Sequence, residues 1–568
     1  MSRDSKIIIV GGGPTGLTAG ILLRQRGLNP IVLERRHDQI GYPAAHVVNT
    51  RTMEIMAELG VGERMWAEGD NTAMSGKIVW VESMAGREYG VLSVRGAAED
   101  DRGPLSRYRS LNLPQTHLER ILAERFMELG GDLRYGHCVS DLRQDETEGE
   151  VTVDTADGQQ VMKFDWLIGC DGAGSMVRRS VGIDMDGPPS LARFMTIYFH
   201  ADFDRYREGR KAVLYWIGGT DARGVFLNFD KHGRSWAMLV PIGDARVEDF
   251  SNEDATRILN KAMGDFDIEV KIDSISTWNM SAQVAQSYRA GHVLLAGDAC
   301  HRFPPMGGLG MNTGIQDAHN LAWKLDAVVS GLAPSALLDS YQVERRAIAQ
   351  RNTDQSVKNM MKMGQIDEAL GVPLLAPVSL DDIRGPVRQH DAAVVGIDGD
   401  GAMAQRRRAA VQAAIENQAE HFDQGAGMDL GFIYDEGLVA HDGCAPGPSD
   451  ISRYRPDAHP GARLPFSSPD GSFAASTLGR VAPVGITLFA LDPAWHEAAQ
   501  SAVAATGVPV TVLTIGADAN FGPNASDLLG IEKSGAVTVR PDGHVLWRDA
   551  SVLNLDGFQQ ALGLLKGE

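Results

Sequence analysis

Residues 6–20, KIIIVGGGPTGLTAG, decide the fold. Residues 6–10, a lysine followed by four apolar residues, suit a short buried strand, and Leu17, Ile21 and Leu22 begin a helix face that runs to about Gly27. Between them Gly11, Gly13 and Gly16 keep the G-x-G-x-x-G spacing. Gly11 permits a tight turn, Gly13 lets backbone approach a pyrophosphate, and Gly16 lets helix pack on strand. A second strand over 30–33 ends at Glu34, whose carboxylate can accept hydrogen bonds from ribose hydroxyls, with Arg35 beside it. A lone glycine turn says little. Strand, helix, second strand and terminal acid together predict a dinucleotide-binding unit.

A second stretch narrows the chemistry. Residues 291–324 read GHVLLAGDACHRFPPMGGLGMNTGIQDAHNLAWK. A strand over 292–295 leads to Gly297 and Asp298, then to a proline and glycine loop over 303–310. The spacing predicts a helix opened by Asn312, a good capping residue. Such a helix end, reached through small residues, is an anion-binding and close-approach geometry.

At 568 residues the chain is too long for one core, so two to four domains are expected. The net charge of −20 argues against nucleic acid and anionic membranes as partners. No apolar run reaches the roughly 20 residues of a membrane span. The first strand starts at once, so no signal peptide is expected and the expected setting is a reducing cytoplasm. Cys138, Cys170, Cys300 and Cys444 lie far apart, so no metal site or disulfide framework is expected.

The predicted class is α/β. A Rossmann-like domain occupies 1–181, with small insertions about 76–101 and helices over 50–59 and 115–129. Strands rich in aromatics over 182–287, interrupted by a helix at 254–263, predict a mostly antiparallel inserted sheet for the substrate. Residues 288–370 return to the nucleotide domain with helices over 313–329 and 336–363. A linker spans 371–401, and a helix over 403–421 presents Arg406, Arg407 and Arg408 as a solvated face. The unit 402–568 alternates strand and helix as a thioredoxin-like domain does, with a hairpin at Pro541, Asp542 and Gly543 and a final helix over 555–566. Its strand and helix region has no cysteine, so packing or subunit contact is its expected role, and a homodimer is an open alternative to a monomer.

Three segments, GGGPTG, GCDGAGSMVRRSVG and LLAGDACHRFPPMGGLGMN, together resemble the group A FAD-dependent aromatic hydroxylases. HPGARLP at 459–465 and VRPDGHVLWR at 539–548 are similar to the phenol-hydroxylase-like branch with its C-terminal thioredoxin-like domain. The resemblance implies bound FAD, with NADPH or NADH and O2 as co-substrates. It implies that Gly11, Gly13, Gly16 and Glu34 hold the ADP half, and that Gln115 and Asp298 reach the ribityl chain. Gly308, Gly310, Met311 and Asn312 would line the pyrimidine edge of the ring, and Asp171, Gly172 and Arg178 would serve both FAD and the nicotinamide cofactor. Many relatives carry an arginine where this chain has Ala44 after Pro43, and Arg51 is the candidate to compensate.

The implied activity is hydroxylation of a phenolic ring, ortho to an existing hydroxyl, through a flavin C4a-hydroperoxide. That oxygen chemistry belongs to the cofactor. The protein must favour anionic reduced flavin, which a helix N-terminus does, and must keep the site dry. It also needs a base, because a phenol titrates near 10, as tyrosine does. His46 is the candidate base, with Asn112 as a substrate contact and Pro305 beside the ring. His301 is read as a brace for the loop. Tyr215, Phe226 and Asn228 are the expected substrate walls. The alternatives are a flavin-dependent halogenase and a flavin-bound scaffold with vestigial redox activity. Against a halogenase, the segment from Trp236 to Pro241, WAMLVP, lacks the second tryptophan and the isoleucine of W-x-W-x-I-P. An NAD dehydrogenase would leave the loop over 303–310 unexplained.

Overall fold

The computed structural model describes residues 5–567 except 39–40, 43, 71–75, 94–98, 101–102, 220–221, 231, 266–267, 387–395, 398 and 423–424. Pro43 and part of the 371–401 linker therefore lie outside the described residues.

The nucleotide sheet has six strands, in the order Arg289–Ala290, Val293–Leu295, Trp166–Gly169, Ile7–Val10, Ile31–Glu34 and Asp132–Tyr135. All pair in parallel except the Arg289–Ala290 edge. Ile7, Ile8, Ile9 and Val10 are all buried, as a parallel strand covered on both faces requires. The helix Pro14–Gln25 covers this sheet and packs on the helices Gln115–Glu128 and Gly310–Val329.

The second sheet has seven strands, in the order Lys271–Met280, Ala192–His200, Ser235–Pro241, Arg223–Asn228, Leu214–Gly218, Lys77–Val81 and Glu88–Ser93. Only the Leu214–Gly218 and Lys77–Val81 pair is parallel. The stretch expected as a small insertion near 76–101 thus supplies two strands to this second sheet. One face of this sheet packs under the helix Asn252–Met263, through Ile258, Leu259 and Ala262. The opposite face packs on Met306 of the 303–310 loop and on Met363 and Ile366 of the long helix Asp339–Leu370.

The linker contains a short helix, Leu380–Arg384, in which Arg384 pairs with Asp254. The next helix is Ala402–Glu416, followed by one turn at Ala419–Phe422. It packs on Glu88–Ser93 and on the long helix. Arg406 is exposed as expected, but Arg407 donates to the Leu370 carbonyl and Arg408 to those of Ile397 and Gly399. Those two arginines tie the helix down instead of forming a purely solvated face.

The C-terminal sheet runs Val510–Thr514, Ile486–Ala490, Ala536–Val539 and Val545–Asp549. Its first pair is parallel and the other two are antiparallel. The turn joining its last two strands is buried against the nucleotide domain. There Arg540 donates to both oxygens of Glu344 at 2.7 and 2.9 Å, and Lys324 donates to Glu344 at 2.7 Å. Asn320 bridges Glu344 and Asp542. Among the described residues no helix is long and apolar enough to cross a membrane.

Candidate active site

The glycines of the first turn differ in what surrounds them. A Cβ on Gly11 would lie 2.3 Å from the Cys170 carbonyl oxygen, and Gly11 has φ +110°. A Cβ on Gly16 would lie 2.0 Å from the Gly11 oxygen. Both glycines are required by the chain's own packing. Gly13 is different, since its Cβ would meet only Glu119 Oε1, at 3.8 Å. Space is left there, at the start of a helix with Gly13 as N-cap, Pro14 in its first turn and no side-chain cap. Uncapped N–H groups facing open space suit a pyrophosphate.

Glu34 is buried and accepts from the Gly12 N–H at 2.7 Å and from Arg36 Nε at 2.8 Å. Burial alone would raise its pKa, but the Arg36 and Gly12 bonds hold the carboxyl below its usual range. Arg36 also reaches Glu119 at 3.3 Å. Arg35, the expected contact, is exposed. The cation built into the nucleotide turn is Arg36, and strand alternation was the missed signal, because positions 34 and 36 share a face. Gln115 opens its helix and donates to Glu119 at 2.8 Å.

Arg51 corrects the expectation placed on it. It is buried, pairs with Glu54 at 2.9 Å and donates to the Asp542 carbonyl at 2.7 Å. Its guanidinium joins the nucleotide domain to the C-terminal turn and is committed there.

Asp171 accepts from the Val177 N–H through Oδ2, and its Oδ1 is buried without a partner among the described residues. Arg178 is buried and donates to the Ala299 carbonyl at 2.8 Å. It therefore braces the turn Gly297–Ala299, which leaves Asp298 exposed. The same turn is held from below by Asp317, which accepts from the Gly297 N–H and from His301 Nε2, the latter at 2.7 Å. Arg345 donates to Asp317 at 2.8 Å. Burial opposes the charge on Asp317, and His301 with Arg345 holds it below the usual carboxylate range. His301 thus sits in the loop as a brace, stacked on Phe303.

The loop ends with Gly307 at φ +115° and Gly308 at φ +63°, and Pro305 is exposed upon it. The helix that follows is Gly310–Val329, and its N-cap is Leu309, without a side-chain cap. Asn312 is therefore not the cap. It lies in the first turn, buried, accepts from the Asn49 N–H and donates to the carbonyls of Val47 and Gly308. The amide stitches the loop to the 46–49 segment, while the helix end stays open. A Cβ on Gly310 would meet nothing within 4 Å, and Met311 is half-buried. Two uncapped helix ends, two uncrowded glycines and an exposed Asp298 fit an extended dinucleotide with a flat ring at its far end.

This geometry separates two kinds of glycine by experiment. Gly16→Ala is expected to prevent folding, because a Cβ would overlap the Gly11 carbonyl. Gly310→Val is expected to fold with wild-type unfolding behaviour and to purify without flavin absorbance. Retention of full flavin by Gly310→Val would remove this helix end from the cofactor site.

His46, Asn112, Asn228 and Phe229 come together beside the loop. His46 Nδ1 lies 2.8 Å from Asn112 Oδ1, and the His46 ring meets Phe229 edge-on at 5.7 Å. Asn112 Nδ2 donates to the Asn228 carbonyl at 3.2 Å. That bond fixes the amide orientation, so Oδ1 faces the imidazole and Nδ1 must carry the proton. Nε2 then holds the lone pair. Burial lowers the His46 pKa and the Asn112 bond opposes the shift only in part, so the ring is neutral at pH 7.

Tyr215 and Phe226 are corrections. Both point to the face under the helix Asn252–Met263, packed with Phe199, Phe203 and Trp236. The Tyr215 hydroxyl donates to the Arg210 carbonyl. Asn228 contributes its backbone oxygen, not its side chain. The alternate positions face the loop: Phe194, Leu227, Leu239 and Trp278 share a cluster with Met306. Composition picks out these strands, but period-two alternation cannot say which face is inward.

An FAD binding domain family matches residues 4–356. A 2,4-dichlorophenol 6-monooxygenase from Cupriavidus pinatubonensis (strain JMP 134 / LMG 1197) is 31% identical over 97% of this chain and 94% of its own. A phenol 2-monooxygenase from Pseudomonas sp. (strain EST1001) is 30% identical over 97% of this chain and 90% of its own. The crystal structure of the flavin-dependent monooxygenase PieE in complex with FAD and substrate superposes with a TM-score of 0.88 at 33% identity, over 99% of this chain and 98% of PieE.

Proposed function

We infer that this chain, which belongs to the FAD binding domain family and within it to the phenol-hydroxylase-like group A aromatic hydroxylases, hydroxylates a neutral phenol ortho to its hydroxyl. It is an FAD-dependent monooxygenase, with O2 and a reduced nicotinamide as co-substrates. FAD, when bound, accepts hydride and activates oxygen. The chain's own residues would do three things around it.

The first turn, Glu34 and Arg36 would hold the ADP half, with Gln115 and Asp298 toward the ribityl chain and Asp171, Gly172 and Arg178 nearby. The open end of Gly310–Val329 would favour an anionic ring edge through its free N–H groups and dipole. The loop-facing wall of Phe194, Leu227, Leu239, Trp278 and Met306 would exclude water. His46 Nε2 would take the phenolic proton while Asn112 holds Nδ1–H, which leaves the ring electron-rich at the ortho carbon.

The Asn228–Asn112–His46 chain carries this reading, because it presets the one tautomer that can act as a base at Nε2. The order and directions of the C-terminal strands support reading that unit as thioredoxin-like. All four cysteines are free, which suits a cytoplasmic setting.

The test is aerobic NADH or NADPH oxidation across a panel of phenols and benzoates, with peroxide and product both measured. The expected result is oxidation coupled to an ortho-diol from neutral phenols. Oxidation that yields peroxide alone with every substrate would sink the reading.

A further inference from the structure

Asp429 ends the short helix Ala426–Asp429, far along the chain from the flavin motifs, yet it is joined to them by consecutive hydrogen bonds through the side chain and backbone N–H of Asn49 and then the side chain of Asn312. Its Oδ1 accepts from Asn49 Nδ2 at 2.9 Å, and the Thr50 N–H also donates to the carboxylate. Asn49 is engaged through its side-chain oxygen and backbone N–H as well. Its Oδ1 caps the helix Thr50–Glu58 by accepting from the Thr52 N–H at 2.9 Å. Its own N–H donates to Asn312 Oδ1 at 3.0 Å. Asn312 in turn donates to the carbonyls of Val47 at 2.9 Å and Gly308 at 2.7 Å. One acid from the C-terminal segment thus sits at the end of a chain that fixes both the residue after His46 and the open helix end.

We propose that Asp429 is a positioning residue for the hydroxylation site, acting through Asn49 and Asn312 to hold the candidate base and the helix end at one fixed distance. The proposal rests on the hydroxylase reading for its activity readout, but not for its spectroscopic one. Accepting from two N–H donors at once suits a carboxylate, and both bonds are strengthened by its charge. Protonation would convert one oxygen into a donor and weaken the hold.

Two charged groups face Asp429. Arg351 from the long helix donates to the Gly427 carbonyl and has its Nη1 buried without a partner among the described residues. Glu54 from Thr50–Glu58 is the other, itself paired with Arg51 and Arg463. Burial pushes the Asp429 pKa up to about 7, despite the Asn49 and Thr50 bonds and Arg351. That shift brings its change of charge toward neutrality, where the hold on Asn49 would respond to pH.

The test uses the full-length flavoprotein with Asp429→Ala and Asp429→Asn. In Asp429→Ala, product formed per NAD(P)H should fall several-fold and peroxide should rise, with KM for NAD(P)H unchanged and a shifted flavin visible spectrum. Asp429→Asn keeps the acceptor and the volume, so it should restore most of the coupling at pH 6. It should lack the rise in coupling that the wild type shows as pH passes through about 7. A wild-type spectrum and coupling in Asp429→Ala from pH 6 to 8 would overturn the proposal. If Asp429→Ala does not fold, a pH profile of Asp429→Asn identical to the wild type overturns it equally. If the wild type gives no hydroxylated product at all, the hydroxylase reading fails, and an unchanged flavin spectrum in the variants then decides against Asp429 separately.

Discussion

Glu344→Ala is expected to cost about 3–5 kcal/mol of stability, a large fraction of the roughly 5–15 kcal/mol that holds an ordinary domain folded. The reason lies in what the change leaves behind. Glu344 is buried and accepts from Arg540 at 2.7 and 2.9 Å, from Lys324 at 2.7 Å and from Asn320 at 2.7 Å. It also accepts from the Leu438 N–H at 2.9 Å. Removing the carboxylate strands a buried ammonium and leaves a buried guanidinium with Asp542 as its one remaining carboxylate partner and the Leu438 carbonyl as its other acceptor. An uncompensated buried cation costs far more than a lost surface pair. Glu344→Gln preserves the volume and one acceptor, so it should lose less. Urea unfolding followed by far-UV circular dichroism measures both, and equal stability of Glu344→Ala and wild type would refute the account.

The pH dependence has a definite sign. Burial would raise the Glu344 pKa, but Arg540 and Lys324 hold it down to about 2 in the fold. A carboxyl depressed in this way stabilises the native state above its unfolded value near 4.3 and loses that contribution as pH falls toward 2. Glu344→Gln should therefore flatten part of the acid-unfolding curve over that interval.

This cluster also shows where reading the sequence stops. Nothing local marks Glu344 as a partner of Arg540, because 196 positions separate them and each resembles a helix-surface or strand residue in isolation. The nucleotide turn was legible because its parts are contiguous: strand, glycines, helix and acid follow within one unit. The 303–310 loop was legible for the same reason, although its helix begins at Gly310, and Asn312 turned out to join two segments instead of capping. Arg36 and the loop-facing positions of the second sheet were missed for one shared reason. Alternation along a strand gives two faces, and only tertiary packing says which is inward. The strands Lys77–Val81 and Glu88–Ser93 enter the seven-stranded sheet through a parallel pairing that sequence order does not suggest.

His46→Ala should lower the rate of ring hydroxylation by about 10²–10⁴-fold for substrates that bind as neutral phenols, the usual range for a lost general base. The sign of its pH dependence follows from the geometry. A base works deprotonated, so activity should rise with pH through the His46 pKa. Burial sets that pKa below the ordinary histidine value. The acid limb of kcat should accordingly lie below pH 6.5 in the wild type and be absent in His46→Ala. Asn112→Ala tests the same chain one step back. It removes the acceptor that keeps the proton on Nδ1, so both tautomers become populated and the rate should fall less than in His46→Ala. Phenols acidic enough to bind as phenolates need no base, and for them His46→Ala should stay within a few-fold of the wild type. An acid limb that persists unchanged in His46→Ala would assign the proton to another group, whereas a uniform loss for neutral and ionised substrates would make His46 a part of the wall and not a base.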